Sequence, residues 1–214
     1  MRIAVLGTGD VGNRLATKLV SLGNEVMMGS RTAKNPKAAA WAKAMGAKGS
    51  TGTFEDAARF GEVVFNCTAG AVSLEALKLA GKKNLAAKVL VDVANPLDFS
   101  KGMPPTLTVC NTDSLGEQIQ RAFPDAKVVK ALNTMGNELM VNPGLVPGEH
   151  DTFVCGNDGQ AKAEVVEILR AFGWKNPIDL GDITAARGLE MVLPVWVRLM
   201  VTFHTRNFNF KISR

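Results

Sequence analysis

The sequence predicts an α/β chain built on a doubly wound parallel sheet, and two observations carry that prediction. Strand-like and helix-like stretches alternate along most of the 214 residues. A glycine-rich turn, Gly7-Thr8-Gly9-Asp10-Val11-Gly12, stands between the apolar run Arg2–Leu6 and a stretch where Val11, Leu15, Leu19 and Leu22 recur at helical spacing. A G-x-G-x-x-G that leaves a buried strand and opens a helix gives each glycine a task. Gly7 permits the tight turn, Gly9 leaves the backbone bare for a pyrophosphate, and Gly12 lets the helix pack close to the strand. The helix N-terminus then offers free N–H groups to the phosphates.

The second strand decides which dinucleotide. Gly23-Asn24 turns the chain and Glu25-Val26-Met27-Met28 reads as a strand. At its end an NAD site usually carries a carboxylate for the ribose 2′-hydroxyl. Here the chain reads Gly29-Ser30-Arg31-Thr32, with Lys34 and Lys37 close behind. No carboxylate repels a 2′-phosphate, and the planar fork of Arg31 can bind one. The expected cofactor is NADP(H) rather than NAD(H).

The remaining elements follow in order. Lys37 to Met45 is alanine-rich and helical, and Gly46-Ala47-Lys48-Gly49 turns the chain. Thr53 caps a short helix from Phe54 to Phe60. Glu62 to Cys67 is a buried strand, followed by the small residues Thr68-Ala69-Gly70-Ala71 and a helix from Ser73 to Ala80. Lys88 to Val93 is the next strand, with Ala94-Asn95-Pro96-Leu97 after it and a loop from Phe99 to Pro105. Asp113-Ser114 opens a helix that runs to Phe123, with Glu117 placed as the reciprocal partner of Ser114 in a capping box. Ala126 to Leu132 is a strand ending in Asn133-Thr134, and residues 137–150 read as an irregular excursion with two prolines. Asp151 to Cys155 and Asn176 to Leu180 are strands around an amphipathic helix from Gln160 to Phe172. Ile183 to Phe203 is helical, kinked at Pro194, and apolar on nearly every side between Leu189 and Met200. A helix of that kind must be buried in its own core or against another subunit. We therefore expect a homodimer through residues 183–203, an arrangement able to carry Asn207 to Phe210 of one subunit toward the other's pocket.

Composition narrows the class. The chain is 46% hydrophobic and 21% charged, as an ordinary globular domain is. Its net charge of +5 is spread without a long basic run, which suits an anionic small molecule and gives no nucleic-acid module. The stretch from Leu189 to Phe203 is too short and too charged to span a bilayer. The first strand begins at Arg2, leaving no room for a signal peptide, so a cytoplasmic location is expected. Cys67, Cys110 and Cys155 read as buried thiols in a reducing compartment, and neither they nor His150 and His204 have metal-ligand spacing.

Taken together the motifs resemble the NADPH-dependent F420 reductases, F420H2:NADP+ oxidoreductases. The resemblance rests on Gly7–Gly12, Gly29-Ser30-Arg31, the run from Val128 to Thr134, Phe153 to Asp158, Pro177 to Gly181, and the closing segment through Leu193-Pro194. The cytosolic reductase domain of the six-transmembrane metalloreductases is similar in several of these stretches. The resemblance implies a Rossmann-type NADP-binding domain over residues 1–182. It also implies a short C-terminal helical extension over 183–214 that serves dimerisation and the acceptor pocket. It places Thr8, Asp10 and Val11 in the phosphate loop, Ser30 and Arg31 at the 2′-phosphate with Lys34 beside them, and Thr68, Ala69, Asn95 and Pro96 along the cofactor. Asn133 and Thr134 fall where the nicotinamide meets its acceptor, and they are the candidate catalytic residues.

The implied reaction is hydride transfer between NADP(H) and a flat acceptor, coenzyme F420 or a flavin. Such chemistry asks the protein for position more than for titrating groups. A chain with two histidines and no tyrosine agrees, and it lacks the tyrosine that a short-chain dehydrogenase uses. Two alternatives stand beside this reading: a non-catalytic NADP(H)-binding sensor, and an NADPH-dependent flavin, ferric or imine reductase.

Overall fold

The computed structural model describes residues 1–213; Arg214, the last residue of the expected extension, lies outside the described residues. Strand β1 (Arg2–Leu6) leads through the glycine turn into α1 (Asp10–Ser21), and β2 (Glu25–Ser30), α2 (Pro36–Met45), β3 (Gly49–Thr53) and α3 (Phe54–Phe60) follow. Next come β4 (Val63–Asn66), α4 (Gly70–Ala80), α5 (Lys82–Leu85), β5 (Val89–Asp92) and a minimal hairpin of β6 (Leu97–Asp98) and β7 (Thr106–Leu107). The chain continues with α6 (Leu115–Ala122), β8 (Lys127–Ala131), α7 (Asn137–Val141), β9 (Phe153–Gly156), α8 (Gly159–Phe172) and β10 (Ile178–Asp179). It closes with α9 (Ala186–Met191) and α10 (Leu193–Phe203).

Eight strands form one sheet in the order β10-β9-β8-β5-β4-β1-β2-β3. Six of them, from β8 to β3, run parallel, and helices cover both faces, as the doubly wound prediction requires. Apolar side chains of alternate strand residues feed two cores. Val5, Phe65 and Val91 face one side with Leu15 and Leu19 of α1, while Ala4, Val64 and Leu90 face the other with Leu77 of α4 and Ile119 of α6.

The edge departs from the parallel expectation. Strand β9 runs antiparallel to β8, and β10 is parallel to β9. A parallel return needs a helix that crosses the sheet. Between β8 and β9 the chain has only the short α7, which packs on α1, so it comes back in the opposite direction.

Two strand regions were not expected. The segment Gly49-Ser50-Thr51-Gly52-Thr53 carries no apolar alternation and is a strand through its five-residue pairing with β2. The β6–β7 hairpin lies in what reads as loop. Caps behave as predicted at Thr53, which forms a full capping box with Asp56. At α6 the Ser114 hydroxyl caps the Glu117 N–H, but the Glu117 carboxylate takes the Ser114 hydroxyl and the guanidinium of Arg187. Of the three thiols expected to be buried, Cys155 is buried and Cys67 half-buried, whereas Cys110 is exposed.

The C-terminal helix breaks where a proline would break it. Pro194 occupies the first turn of α10, so α9 and α10 are separate helices. Leu193, Trp196 and Val197 turn inward and meet Phe208 and Phe210 of the tail in a small third cluster. Phe208 stacks on Trp196 at 5.4 Å, and the Phe210 carbonyl accepts from the Asp151 N–H at 3.0 Å. The tail therefore folds back on its own subunit.

Candidate functional site

The glycine turn has the geometry its sequence calls for. Gly7 sits at φ +123°, and a side chain there would meet the Cys67 carbonyl at 2.7 Å. A side chain at Gly12 would fall on the Gly7 carbonyl, so α1 packs as close as the backbone allows. Gly9 differs: nothing lies within 4 Å of the place its Cβ would take. That open space over the first turn of α1 is the volume a pyrophosphate needs, and a Cβ would enter it. The residues present fit a dinucleotide.

The register pairs Leu6 with Gly29, which brings Ser30 and Arg31 out beside the glycine turn. Ser30 is buried, and its hydroxyl donates to the Thr32 carbonyl at 2.6 Å, forming a tight turn. Arg31 and Lys34 are exposed at that turn, and neither forms an ion pair among the described residues. Two unpartnered cations beside a bare strand end suit a 2′-phosphate.

The loops after β1, β4, β5 and β8 meet at one edge of the sheet around a cleft of about 580 Å³. Asp10, Val11, Thr68, Ala69, Asn95 and Asn133 line it. Thr8, Pro96 and Thr134 do not; Pro96 and Thr134 are buried beside it. Its far wall is what sequence reasoning missed in detail: Leu193, Trp196, Val197 and Met200 of α10 close the cleft, with Met135 and Met140 beside them. Phe99 and Met103, both more than half exposed, stand at its rim. Among the described residues, Asp10 and Arg206 are the only charged ones of the lining.

Asn133 is positioned by a lock. Leu132 takes a left-handed conformation, φ +62°, which ends β8 abruptly at an energetic cost of about 1–2 kcal/mol. The turned Asn133 amide donates to Asn95 Oδ1 at 2.9 Å and to the Leu189 carbonyl at 2.9 Å. Asn95 returns a bond to the Asn133 carbonyl at 2.8 Å. Two loops that line the cleft and helix α9 are thus tied through one side chain. Gly70 makes the remaining approach possible, since a side chain there would run into the Asn95 carbonyl.

Beneath the cleft lies a charged cluster. Lys130, fully buried in β8, reaches Asp92 at 2.7 Å, Glu190 of α9 at 2.8 Å and the Ala94 carbonyl. Asp92 also accepts from Asn66 at 2.8 Å, and Asn66 accepts from Thr68 at 2.7 Å. Glu190 accepts from the Leu115 and Gly116 N–H groups at the start of α6, at 2.8 and 3.0 Å. Burial pulls the Lys130 ammonium down, but the two carboxylates outweigh it and hold it above its ordinary value. Burial pushes the Glu190 carboxyl up against the pull of Lys130. The signal was present in the sequence: an ionisable residue inside an apolar strand or helix must find a partner. Burial and the neighbouring Asp92 push the thiol of Cys67, which lines the cleft, far above its ordinary value.

The N-terminal stretch, residues 2–96, matches the model of the family described as NADP oxidoreductase, coenzyme F420-dependent. Over its whole length the chain is 55% identical to all of a protein from Arthrobacter sp. FB24 whose crystal structure is described as that of a candidate F420-dependent NADP-reductase, with a TM-score of 0.96. The chain belongs to the F420-dependent NADP oxidoreductase family. Membership makes it an NADP-dependent oxidoreductase of Rossmann-type fold. The F420-dependent NADP reductase of Methanocaldococcus jannaschii is 29% identical over 222 residues, covering 100% of this chain and 98% of its own. Metalloreductase STEAP3 of Rattus norvegicus is 32% identical over 97% of this chain, which spans only 41% of that protein's length. Among the described residues of this family member, no helix is long and apolar enough to cross a membrane, and no side-chain group could hold a metal ion.

Proposed function

We propose that the chain moves a hydride between NADP(H) and a flat deazaflavin of the coenzyme F420 type, bound in the apolar cleft. The observation that carries the reading is the cleft itself: it adjoins the glycine turn, its far wall is aromatic and aliphatic, and its lining holds no acid–base dyad. Gly7 to Gly12 would hold the pyrophosphate, Ser30, Arg31 and Lys34 the 2′-phosphate, and Thr68, Ala69 and Asn95 the nicotinamide end, with Pro96 buried beside them. Bound there, NADPH supplies the hydride. Trp196, Met135 and Met200 exclude water and flatten the space the acceptor enters. The Asn133 nitrogen is committed to Asn95 and Leu189, which leaves its Oδ1 to orient a ring. Thr134, the next residue, is buried.

In this reading residues 1–182 bind NADP(H), and the extension from 183 supplies the acceptor wall and a dimer contact. Met191, Val195, Val201 and Phe203 are exposed along α9 and α10, an apolar face that a two-fold partner would cover. Three unpaired thiols suit the cytoplasm. The test is to mix the protein with NADPH and F420, FMN, riboflavin or ferric chelates and follow the nicotinamide band. Rapid oxidation by F420 is expected. Oxidation by FMN or iron without F420 would overturn the acceptor, and oxidation by none would favour a sensor.

A further inference from the structure

We infer that His150 is a proton-operated latch on the C-terminal tail. The inference goes beyond the hydride-transfer reading and does not depend on what the cleft binds. The tail is seated on residues 150–151. The Asp151 N–H donates to the Phe210 carbonyl at 3.0 Å, the Ile212 N–H to Asp151 Oδ2 at 2.6 Å, and Asn209 Nδ2 to the Asp151 carbonyl at 2.8 Å. Asn209 Nδ2 also stands 3.0 Å from His150 Nδ1. What the seat holds is the back of the cleft: Phe208 and Phe210 pack on Leu193, Trp196 and Val197, whose other side lines it.

The partners of the ring leave it one protonation state. His150 Nε2 lies 2.9 Å from the Pro143 carbonyl, which can only accept, so Nε2 carries the proton. Asn209 Nδ2 can only donate, and its bond to the Asp151 carbonyl fixes which way the amide faces. Nδ1 is therefore the bare nitrogen. A second proton, on Nδ1, sets N–H against N–H and removes the bond that ties Asn209 to the ring. Trp174, T-shaped to the imidazole at 5.2 Å, holds it from another side.

Four charged groups share the pocket of this ring: Glu149, Asp151, Lys175 and Lys211. Lys211 lies 3.7 Å from Glu149 and 3.8 Å from Asp151, so both carboxylates already face an ammonium. The latch needs the neutral ring. It is complete above the ordinary histidine range, about pH 6.5, and weakens as the pH falls through it.

Hydrogen exchange of the tail amides on the full chain tests this, followed by mass spectrometry and referred to the intrinsic rate at each pH. Between about pH 8 and about pH 5.5 the wild-type tail should lose about tenfold in protection, the scale of one lost hydrogen bond. The amides of α1 should keep theirs. His204, exposed at the end of α10, is the control, and His204→Gln should retain the step. His150→Gln, which does not titrate, should abolish it. Asn209→Ala should release the tail already at the higher pH and show no step. A wild-type tail indifferent to pH, or a step that disappears in His204→Gln, would overturn the latch. So would a step that persists in His150→Gln or Asn209→Ala, which would assign it to Glu149, Asp151 or Lys211.

Discussion

Replacing Lys130 by methionine tests whether the buried cluster holds the molecule together. The ammonium is fully buried and touches two carboxylates, at 2.7 and 2.8 Å. Methionine fills similar volume but leaves Asp92 and Glu190 without their counter-ion. Removing one partner of a buried pair costs about 3–5 kcal/mol, a large part of the roughly 5–15 kcal/mol that stabilises a domain. For a chain of this length each kcal/mol lowers Tm by about 2–4 °C, so a fall of about 6–20 °C is expected by calorimetry. The pH dependence carries a sign. Without Lys130 the Glu190 carboxyl, already raised by burial, rises further, and the folded state then binds a proton that the unfolded chain releases. The deficit against wild type should be smallest below the ordinary glutamate range and grow as pH rises through the folded value. The wild-type lysine, raised above its ordinary value, keeps its full contribution throughout that range and loses it only at high pH. The double variant Lys130→Met/Glu190→Gln should recover part of the loss, because one uncompensated charge is gone. A Tm within about 2 °C of wild type, or a deficit indifferent to pH, would refute the reasoning.

Three further outcomes follow from the site. Gly9→Val should keep the wild-type Tm while losing NADP(H) binding, because its side chain enters open space that only the cofactor needs; calorimetry beside cofactor titration checks both halves. Arg31→Ala should raise the KM for NADPH roughly 10–100-fold, the worth of a charge-assisted bond, with NADH unaffected; an unchanged NADPH constant would remove Arg31 from the 2′-phosphate. Val195→Glu, placed on the exposed face of α10, should convert a dimer into a species near the 22.8 kDa of one chain by light scattering. A wild-type mass already at that value would dispose of the dimer.

The parts of this fold that were legible in the sequence are those where backbone chemistry leaves little choice. Gly7 needs a positive φ and Gly12 a bare face, and each appears where the structure uses it; Pro194, expected to kink one helix, instead starts a separate one. The antiparallel edge was less legible, because direction depends on whether a crossover helix lies between two strands, and 137–150 reads only as irregular. Strand β3 was invisible for a different reason: Gly49 to Thr53 owes its extension to hydrogen bonds from β2, not to its own side chains. Asn133, singled out from its place at a strand end and from the family resemblance, lines the cleft. Its partners Asn95 and Leu189 lie 38 and 56 residues away, a separation no local pattern reports.

The cluster under the cleft explains how so short an extension can shape a site. Helix α9 has six residues, too few to dock by apolar area alone. Glu190 compensates by binding in two places, to Lys130 in the sheet and to the first N–H groups of α6. Arg187 adds a pair to Glu117 on the same helix. Those contacts fix where the Leu189 carbonyl stands, and that carbonyl is one of the two acceptors that orient Asn133. The position of the Asn133 turn is therefore set from below by charges that do not line the cleft. A lining with few titrating groups and a charged floor are two sides of one arrangement: the ionic groups tie the elements together, and the surface that lines the cleft stays mostly apolar.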